Sequence, residues 1–287
     1  ASDLVKLFHI RFDPQAARDR EEREAQAEAV ARSLAEALDA VQSLDEDRIL
    51  RRFLNVVEAG LRTNFYQPAA DGPHKPYLSF KVNSQLVEEM PPPVPYREIF
   101  VYAPEVEGIH LRGGPVARGG LRWSDRRDDY RTEILGLMKA QRVKNAVIVP
   151  TGAKGGFYPK QLPDPAQDRA GWAAEGQAAY EIFISTLLSI TDNIVDGKVI
   201  HPTCIQVLDG DDPYFVVAAD KGTARFSDVA NGIAAERDFW LDDAFASGGS
   251  NGYDHKAMGI TARGGWVSVQ RHFLERRGRP GRFACRL

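Results

Sequence analysis

The order of strand and helix patterns along the chain predicts an α/β protein. Short stretches rich in β-branched and aromatic residues predict strands at 77–83, 97–103, 106–112, 146–149 and 214–218. Apolar residues at helical spacing predict helices at 128–144 and 168–190. The helix at 168–190 is expected to bury one face, which carries Tyr180, Phe183, Ile184, Leu187 and Leu188. Helices that alternate with strands are typical of the α/β class.

Two helices are expected before the first strand. Residues 14–40 are rich in Ala, Glu and Arg, which favours one long exposed helix. Only its C-terminal end carries apolar residues at helical spacing, Leu34 and Leu38 among them, so only that end is expected to pack.

The second helix is predicted over 44–63. Ser43 precedes it as a capping residue, and Glu46 three positions later completes the pattern of a capping box. Its apolar stripe is predicted to consist of Ile49, Phe53, Val56, Val57 and Leu61. A linker is expected at 67–76, and a further helix at 261–273.

Composition excludes several classes of function. A chain of 287 residues with a formal net charge of −3 has no strongly basic field for nucleic acid. Two cysteines form neither a disulfide framework nor a metal cluster, so no metal and a cytoplasmic location are expected. No apolar run is long enough to predict a membrane span.

The first candidate site is the segment RGGPVARGGLRW, residues 112–123. Two Gly-Gly pairs alternate with Arg112, Arg118 and Arg122. Glycines let the backbone approach a ligand closely, and guanidinium groups bind carboxylates through two hydrogen bonds. The segment is also compatible with an ordinary basic hairpin loop.

Lysines mark the next candidates. Lys154 lies among glycines in TGAKGG, directly after the apolar run 146–149, and the order of residues does not fit a nucleotide-binding P-loop. A lysine placed there could be desolvated, which lowers its pKa and makes it a usable base. It could equally be a solvated loop lysine, and Lys144 could be a helix-end lysine that faces the helix dipole.

The last candidate, Asp220, follows the strand at 214–218, where α/β proteins commonly place their sites. It could also be a turn or capping aspartate. Taken together, the cations Arg118, Lys144 and Lys154 and this one acid suit a small dicarboxylate that carries a carbonyl or amine.

One long segment resembles a known family. Residues 119–157 are similar to the signature of glutamate dehydrogenases. Their sequence, GGLRWSDRRDDYRTEILGLMKAQRVKNAVIVPTGAKGGF, resembles the form of that signature in the very large NAD-specific bacterial class. The segments EGIHLRGGPVARGG, AADKGTARFSDVAN and FWLDDAFASGGSNGYDHKAMGITARGGW resemble the same class. The resemblance extends over nearly all of residues 1–273.

The resemblance implies roles for the candidate residues. Lys154 would be the catalytic lysine, and Asp220 would move protons to and from the amino group. Lys144 would hold the substrate α-carboxylate. Arg118 would hold the side-chain carboxylate, although most glutamate dehydrogenases have a lysine there, so the charge is kept and the geometry changes.

Four more residues receive roles from the resemblance. Gly119 and Arg122 would line and support the substrate pocket. Thr261 and Arg263 would open the helix that leads into the nicotinamide domain, with Thr261 close to the nicotinamide amide.

The implied reaction is the NAD-dependent oxidative deamination of L-glutamate to 2-oxoglutarate and ammonia. Hydride leaves Cα for NAD, water adds to the iminium, and ammonia departs. A homo-oligomeric assembly is also implied. The alternative is a binding module that holds glutamate or 2-oxoglutarate without turnover.

The chain also departs from the family pattern in the part that would bind the cofactor. It contains no G-x-G-x-x-G turn for a pyrophosphate, which predicts only part of a cofactor domain. The expected organisation is a helical segment at 1–75, a mixed-sheet substrate domain of the amino-acid dehydrogenase type at 76–225, the truncated beginning of a Rossmann-like NAD-binding domain at 226–273, and an atypical Arg-rich tail at 274–287.

Overall fold

The computed structural model describes residues 2–17, 19–69, 75–140, 151–252 and 255–276. The chain forms two compact units, residues 1–247 and residues 248–287. None of the described helices has both the length and the apolar character that crossing a membrane requires. The predicted boundaries at 75 and 225 stay predictions.

The predicted α/β class is confirmed by the elements of the described residues. The helices are α1 (Ser2–Phe12), α2 (Arg20–Leu38), α3 (Leu44–Ala59), α4 (Tyr130–Ala140), α5 (Arg169–Leu188), α6 (Ser227–Glu236), α7 (His255–Met258) and α8 (Ile260–Glu275). The strands are β1 (Gly60–Thr63), β2 (Leu78–Val82), β3 (Arg97–Tyr102), β4 (Val106–Arg112), β5 (Ala117–Trp123), β6 (Ala153–Pro159), β7 (Asn193–Val195), β8 (Lys198–Ile200), β9 (Phe215–Ala219) and β10 (Ala246–Ser247).

The main sheet of the described residues is mixed. It has eight strands in the order β1-β2-β3-β4-β6-β5-β9-β10. Neighbours from β1 to β6 are antiparallel, whereas β6-β5, β5-β9 and β9-β10 are parallel. Strand β6 therefore lies where the sheet changes from antiparallel to parallel pairing.

Helices cover both faces of this sheet. On one face α5 packs through Phe183, which is fully buried together with Phe157 of β6 and Phe215 of β9. On the other face α4 packs Ile134 and Met138 against Ile109 of β4. Aromatic and branched side chains thus exclude water from both faces of the central strands.

The long helix predicted over 14–40 is confirmed as α2, which begins at Arg20, six residues later than predicted, and ends at Leu38. The helix α1 (Ser2–Phe12) precedes it and was not predicted. Asp19 caps α2, because its carboxylate accepts the backbone N–H of Glu22 at 2.8 Å. The C-terminal end packs as expected, since Leu34 and Leu38 are buried, but the expectation that only this end packs is wrong, because Arg23 and Ala27 are buried too.

The helix predicted from residue 44 is confirmed at its start, where Ser43 Oγ accepts the Glu46 N–H at 3.4 Å. It ends at Ala59, because the chain then joins the sheet as β1. Its predicted apolar stripe is wrong at two of five positions, since Ile49 is 55% and Phe53 59% exposed, whereas Val57 packs against the cluster of α1 and α2. The helix instead buries Leu54 against α1 and α2.

The remaining elements follow the sequence predictions closely. Strands β2, β3, β4 and β9 and helices α5 and α8 are confirmed within two residues at each end. All five inward residues predicted for α5 are buried. Helix α4 is confirmed up to Ala140, while the predicted strand at 146–149 lies outside the described residues.

Candidate active site

Strand β5 brings both of its arginines to one face of the sheet. Side chains alternate between faces along a strand, so Arg118, Gly120 and Arg122 point the same way. Gly120 pairs with Ala218 of β9, and the next residue, Leu121, pairs with Gly155 of β6. Sequence analysis did not predict this strand, and its basic hairpin alternative is wrong, because only residues 113–116 form the connection.

Lys154 belongs to a strand and not to a loop. It is the second residue of β6, which pairs with β4 on one side and β5 on the other, and it is only 2% exposed. The side-chain-free Gly120 makes room for it, since a Cβ there would lie 3.0 Å from Lys154 Nζ. The idea of a solvated loop lysine is therefore wrong.

Asp220 meets Lys154 at the end of β9. Its Oδ2 accepts a hydrogen bond from Lys154 Nζ. The turn after the strand holds the residue in place: the Asp220 N–H donates to Thr223 Oγ1 at 3.0 Å, and that hydroxyl donates to Leu121 O at 2.7 Å. The prediction that Asp220 follows a strand at the site is confirmed in geometry.

Arg122 links this pair to a second carboxylate. Its guanidinium donates to Asp220 Oδ1 at 3.2 Å and to Glu133 Oε1 at 2.9 Å. Ser124 Oγ donates to the other oxygen of Glu133 at 2.7 Å. Burial raises the pKa of Glu133, but the hydrogen bonds from Ser124 and Arg122 outweigh it and leave that pKa lowered.

Sequence reasoning missed three of these residues, Thr223, Ser124 and Glu133. Ser124 lies two positions after Arg122, and Glu133 lies in the first turn of α4. Arg122 and Glu133 come together only because α4 folds back over β6 and β4. That reversal carries no local sequence signal.

Lys154, Asp220 and the two arginines of β5 line a cavity of about 540 Å³. Its walls are Arg118, Gly119, Gly120, Arg122, Leu137, Ala140, Lys154, Ala218, Ala219 and Asp220. Arg118 is half-buried, and its guanidinium has neither a hydrogen bond nor an ion pair with any part of the chain that the structure describes. A ligand carboxylate in the cavity could therefore pair with Arg118 without displacing a partner.

Comparisons with known proteins identify the family of the chain. The family profile described as "Bacterial NAD-glutamate dehydrogenase, catalytic domain" matches residues 33–279. The chain belongs to this family. It is 62% identical over 276 residues to the NAD-specific glutamate dehydrogenase of Pseudomonas aeruginosa, which covers 96% of the chain and 17% of that protein.

Two other NAD-specific glutamate dehydrogenases have a similar sequence identity to the chain. The Mycobacterium tuberculosis protein is 58% identical over 279 residues, and the Halomonas elongata protein is 56% identical over 273 residues. The chain spans 17% and 16% of their lengths, respectively. It thus corresponds to about a sixth of these glutamate dehydrogenases.

Three residues that the family resemblance singled out are not among the described residues that line this cavity. Lys144 belongs to 141–150, which the structure does not describe. Thr261 and Arg263 lie in the first turn of α8, in the second compact unit, where Arg263 is exposed. Their predicted cofactor roles stay predictions.

The described residues of the second unit do not fit a complete dinucleotide site. They consist of α7, α8 and short connections, and no described strand there leads through a glycine turn into a helix. Such a turn is what holds a pyrophosphate in dinucleotide-binding folds.

The pairing with Asp220 bears on the expected neutrality of Lys154. A carboxylate in contact favours the ammonium form, whereas the neighbouring Arg122 disfavours it. Asp220 is itself shared, because Arg122 contacts its other oxygen. The expectation that desolvation makes Lys154 a usable base stays a prediction.

Proposed function

We propose that this chain supplies the substrate-binding and acid–base residues of an NAD-dependent glutamate dehydrogenase, which converts L-glutamate to 2-oxoglutarate and ammonia. The observation that carries the proposal is the Lys154–Asp220 contact beside Arg118 in one cavity. This set provides a cation for a carboxylate and a coupled base and acid for the reacting carbon.

Substrate binding would begin with Arg118. The half-buried guanidinium holds the side-chain carboxylate of glutamate through two parallel hydrogen bonds, which a lysine cannot make. The reacting carbon then lies toward Lys154 and Asp220. Gly119 and Gly120 have no side chains, so the substrate can approach the backbone of β5.

The proton steps would follow from the same contacts. NAD supplies the hydride acceptor when it is bound. Lys154, in its neutral form, takes a proton from the water that adds to the iminium carbon. The Asp220 carboxylate takes a proton from the substrate ammonium before the hydride leaves, and it returns this proton to the nitrogen that departs as ammonia. Arg122, which is held by Glu133, keeps Asp220 in position.

The finer parts of the assignment rest on the family resemblance. They are a substrate domain of the amino-acid dehydrogenase type, the beginning of a Rossmann-like domain, assembly into a homo-oligomer and action in the cytoplasm. The small-molecule partners are glutamate, 2-oxoglutarate and ammonia.

The proposal is tested in the full-length parent protein by comparing glutamate with norvaline, which lacks the side-chain carboxylate. Arg118→Ala is expected to lower kcat/KM for glutamate about 100-fold and to leave norvaline nearly unchanged, because a charged hydrogen-bonded pair contributes roughly 1.5–3 kcal/mol. Arg118→Lys should keep part of the preference. Arg126→Ala, which removes an exposed arginine, is the control.

A second variant separates catalysis from binding. Lys154→Met should lower kcat by at least about a thousandfold, as loss of a general base does, while calorimetry still detects 2-oxoglutarate. Retained turnover in Lys154→Met would contradict the catalytic role. Binding without turnover in the unmodified parent would identify a binding module instead.

A further inference from the structure

Glu133 lies one contact away from the residues that would move protons in the cavity. It belongs to the first turn of α4, and its side chain is 16% exposed. Its Oε1 accepts a hydrogen bond from Arg122 Nη1 at 2.9 Å, and its Oε2 accepts one from Ser124 Oγ at 2.7 Å. Both oxygens are therefore held, and the carboxylate has one fixed position beside Arg122.

Ser124 makes this position suited to an ionised carboxylate. The Ser124 backbone N–H donates to Phe157 O at 2.9 Å, and its Oγ accepts the Arg126 N–H at 3.1 Å. Because a hydroxyl has a single proton, it donates that proton to Glu133. Arg122 and Arg126 place positive charge near Glu133, and the start of a helix favours a negative charge.

Asp220 is surrounded by cations. Its two oxygens contact Lys154 of β6 and Arg122 of β5. Arg118 lies on the same face of β5, whereas Lys221, whose side chain is 66% exposed, pairs with a different carboxylate. Cations in contact stabilise the charged form of a carboxylate, which makes it a weaker base. A second anion close to these cations therefore helps Asp220 to take a proton from an ammonium group.

Glu133 supplies that anion through the guanidinium of Arg122. The hydrogen bond from Arg122 to Glu133 is 2.9 Å long, whereas the one to Asp220 is 3.2 Å long. Two cations, Lys154 and Arg122, thus face two carboxylates, and their charges cancel. The side chains of Arg122, Glu133 and Asp220 are at most 20% exposed, so water screens these charges less than it would on the surface.

A purely structural role for Glu133 would have a different consequence. If the carboxylate only tied α4 to the end of β5, its loss would lower the stability of the fold and leave the proton steps in the cavity unchanged. The two roles can be separated, because only the balance of charge around Asp220 affects the pH dependence of turnover.

We propose that Glu133 is a positioning residue of the dehydrogenase reaction, which holds Arg122 and neutralises its charge so that Asp220 remains a usable proton acceptor. This role rests on the proposed function of the cavity. Ser124 has a smaller part in the same task, since its hydroxyl orients Glu133 and carries no charge.

The test is the pH profile of glutamate oxidation by the full-length parent protein. Glu133→Gln removes the charge and keeps the size of the side chain. It is expected to move the acidic limb of kcat to lower pH by about one unit and to lower the plateau roughly tenfold, because an unbalanced Arg122 weakens Asp220 as a base and a weaker base is protonated only at lower pH. KM for glutamate should change less than about twofold, since Arg118 is untouched.

Three further variants separate charge from shape. Glu133→Asp keeps the charge and should keep the acidic limb close to its position in the unmodified protein. Asp129→Asn removes a charge of the same sign at the start of α4, but this side chain is 56% exposed and pairs with Arg126, so the variant should behave like the unmodified protein. In an Arg122→Gln background the shift caused by Glu133→Gln should largely disappear, because the bridge to Asp220 is gone.

The outcomes distinguish this inference from the proposed function. A folded Glu133→Gln variant with the unmodified pH profile, or an equal shift in Asp129→Asn, overturns the role of Glu133 while the dehydrogenase assignment stands. Binding of 2-oxoglutarate without glutamate turnover in the unmodified parent overturns both.

The thermal unfolding midpoint shows whether each variant of the parent protein folds. If Glu133→Gln does not fold, Ser124→Ala takes its place, because it loosens Glu133 and should move the acidic limb in the same direction by a smaller amount. An unchanged limb in Ser124→Ala would then overturn the inference.

Discussion

Two lysines on opposite faces of one sheet make similar contacts in different settings. Lys154 and Lys81 are each 2% exposed, and each contacts an aspartate. Lys154 faces a cavity of about 540 Å³, whereas Lys81 lies beside a pocket of about 60 Å³ and contacts both Asp209 and Asp212.

The two lysine–aspartate pairs differ in whether open volume or other charged side chains surround them. Around Lys81 the two carboxylates are shared with Arg62 and Arg112, so several charges hold one another in the interior. Beside Lys154 the cavity leaves space for a substrate, and Arg118 forms part of the cavity wall. A buried charge therefore indicates function when open volume accompanies it, and structure when partners enclose it.

The largest effect should come from removing each lysine in turn. Lys81→Met is expected to lower the free energy of unfolding by about 4 kcal/mol, because breaking a buried pair leaves carboxylates short of a partner. Lys154→Met should cost much less, about 1 kcal/mol, since Asp220 keeps Arg122 and reaches solvent. Urea unfolding of the 287-residue chain measures both losses of stability. Equal losses would contradict the distinction between a lysine beside a cavity and a lysine enclosed by charged partners.

A smaller effect should separate two neighbouring glycines of β5. A Cβ on Gly119 would lie 1.6 Å from the Ala153 carbonyl oxygen, so Gly119→Ala must move backbone and is expected to cost about 2–3 kcal/mol. A Cβ on Gly120 would lie 3.0 Å from the flexible end of Lys154, and its other neighbours, Ala219 O and Asp220 Cβ, are at an ordinary contact distance of 3.4 Å. Gly120→Ala should therefore spare the unfolding midpoint in urea but lower turnover in the parent protein.

If Gly120→Ala proved as destabilising as Gly119→Ala, the cavity would not be the tolerant region that the structure indicates.

The smallest effect concerns pH. Burial raises the pKa of Asp212, but Arg112 and Lys81 outweigh it and lower the pKa from 3.8 to about 2. A carboxyl with a lowered folded pKa stabilises the fold above its unfolded pKa and loses that contribution as pH falls through the folded value. Between about pH 4 and pH 2, roughly 2 kcal/mol should therefore be lost.

Asp212→Asn should remove this part of the acid dependence, measured by urea unfolding at several pH values. Asp129→Asn is the control, because its exposed pair with Arg126 contributes little. An unchanged acid slope in Asp212→Asn would mean that other carboxylates dominate in this range.

Local sequence patterns predicted many of the helices and strands, but they did not predict the geometry of the site. The inward face of α5 could be read from its spacing, and the cap at Ser43 from its residue type. The face of α3 could not, because Ile49 and Leu54 are both apolar and only the positions of α1 and α2 decide which is buried. Strand β5 was missed because glycine and arginine are poor strand signals, and its pairing comes from β6 and β9.

The sequence by itself determined the family, the residue types of the site and most element boundaries, since motifs, caps and periodicity are local properties. Only the tertiary structure decided that Lys154 is a strand residue, that Gly120 leaves room for it, and that Glu133 and Ser124 hold Arg122. These facts depend on strand register and helix packing, which bring together residues up to about a hundred positions apart, and no local pattern fixes such contacts.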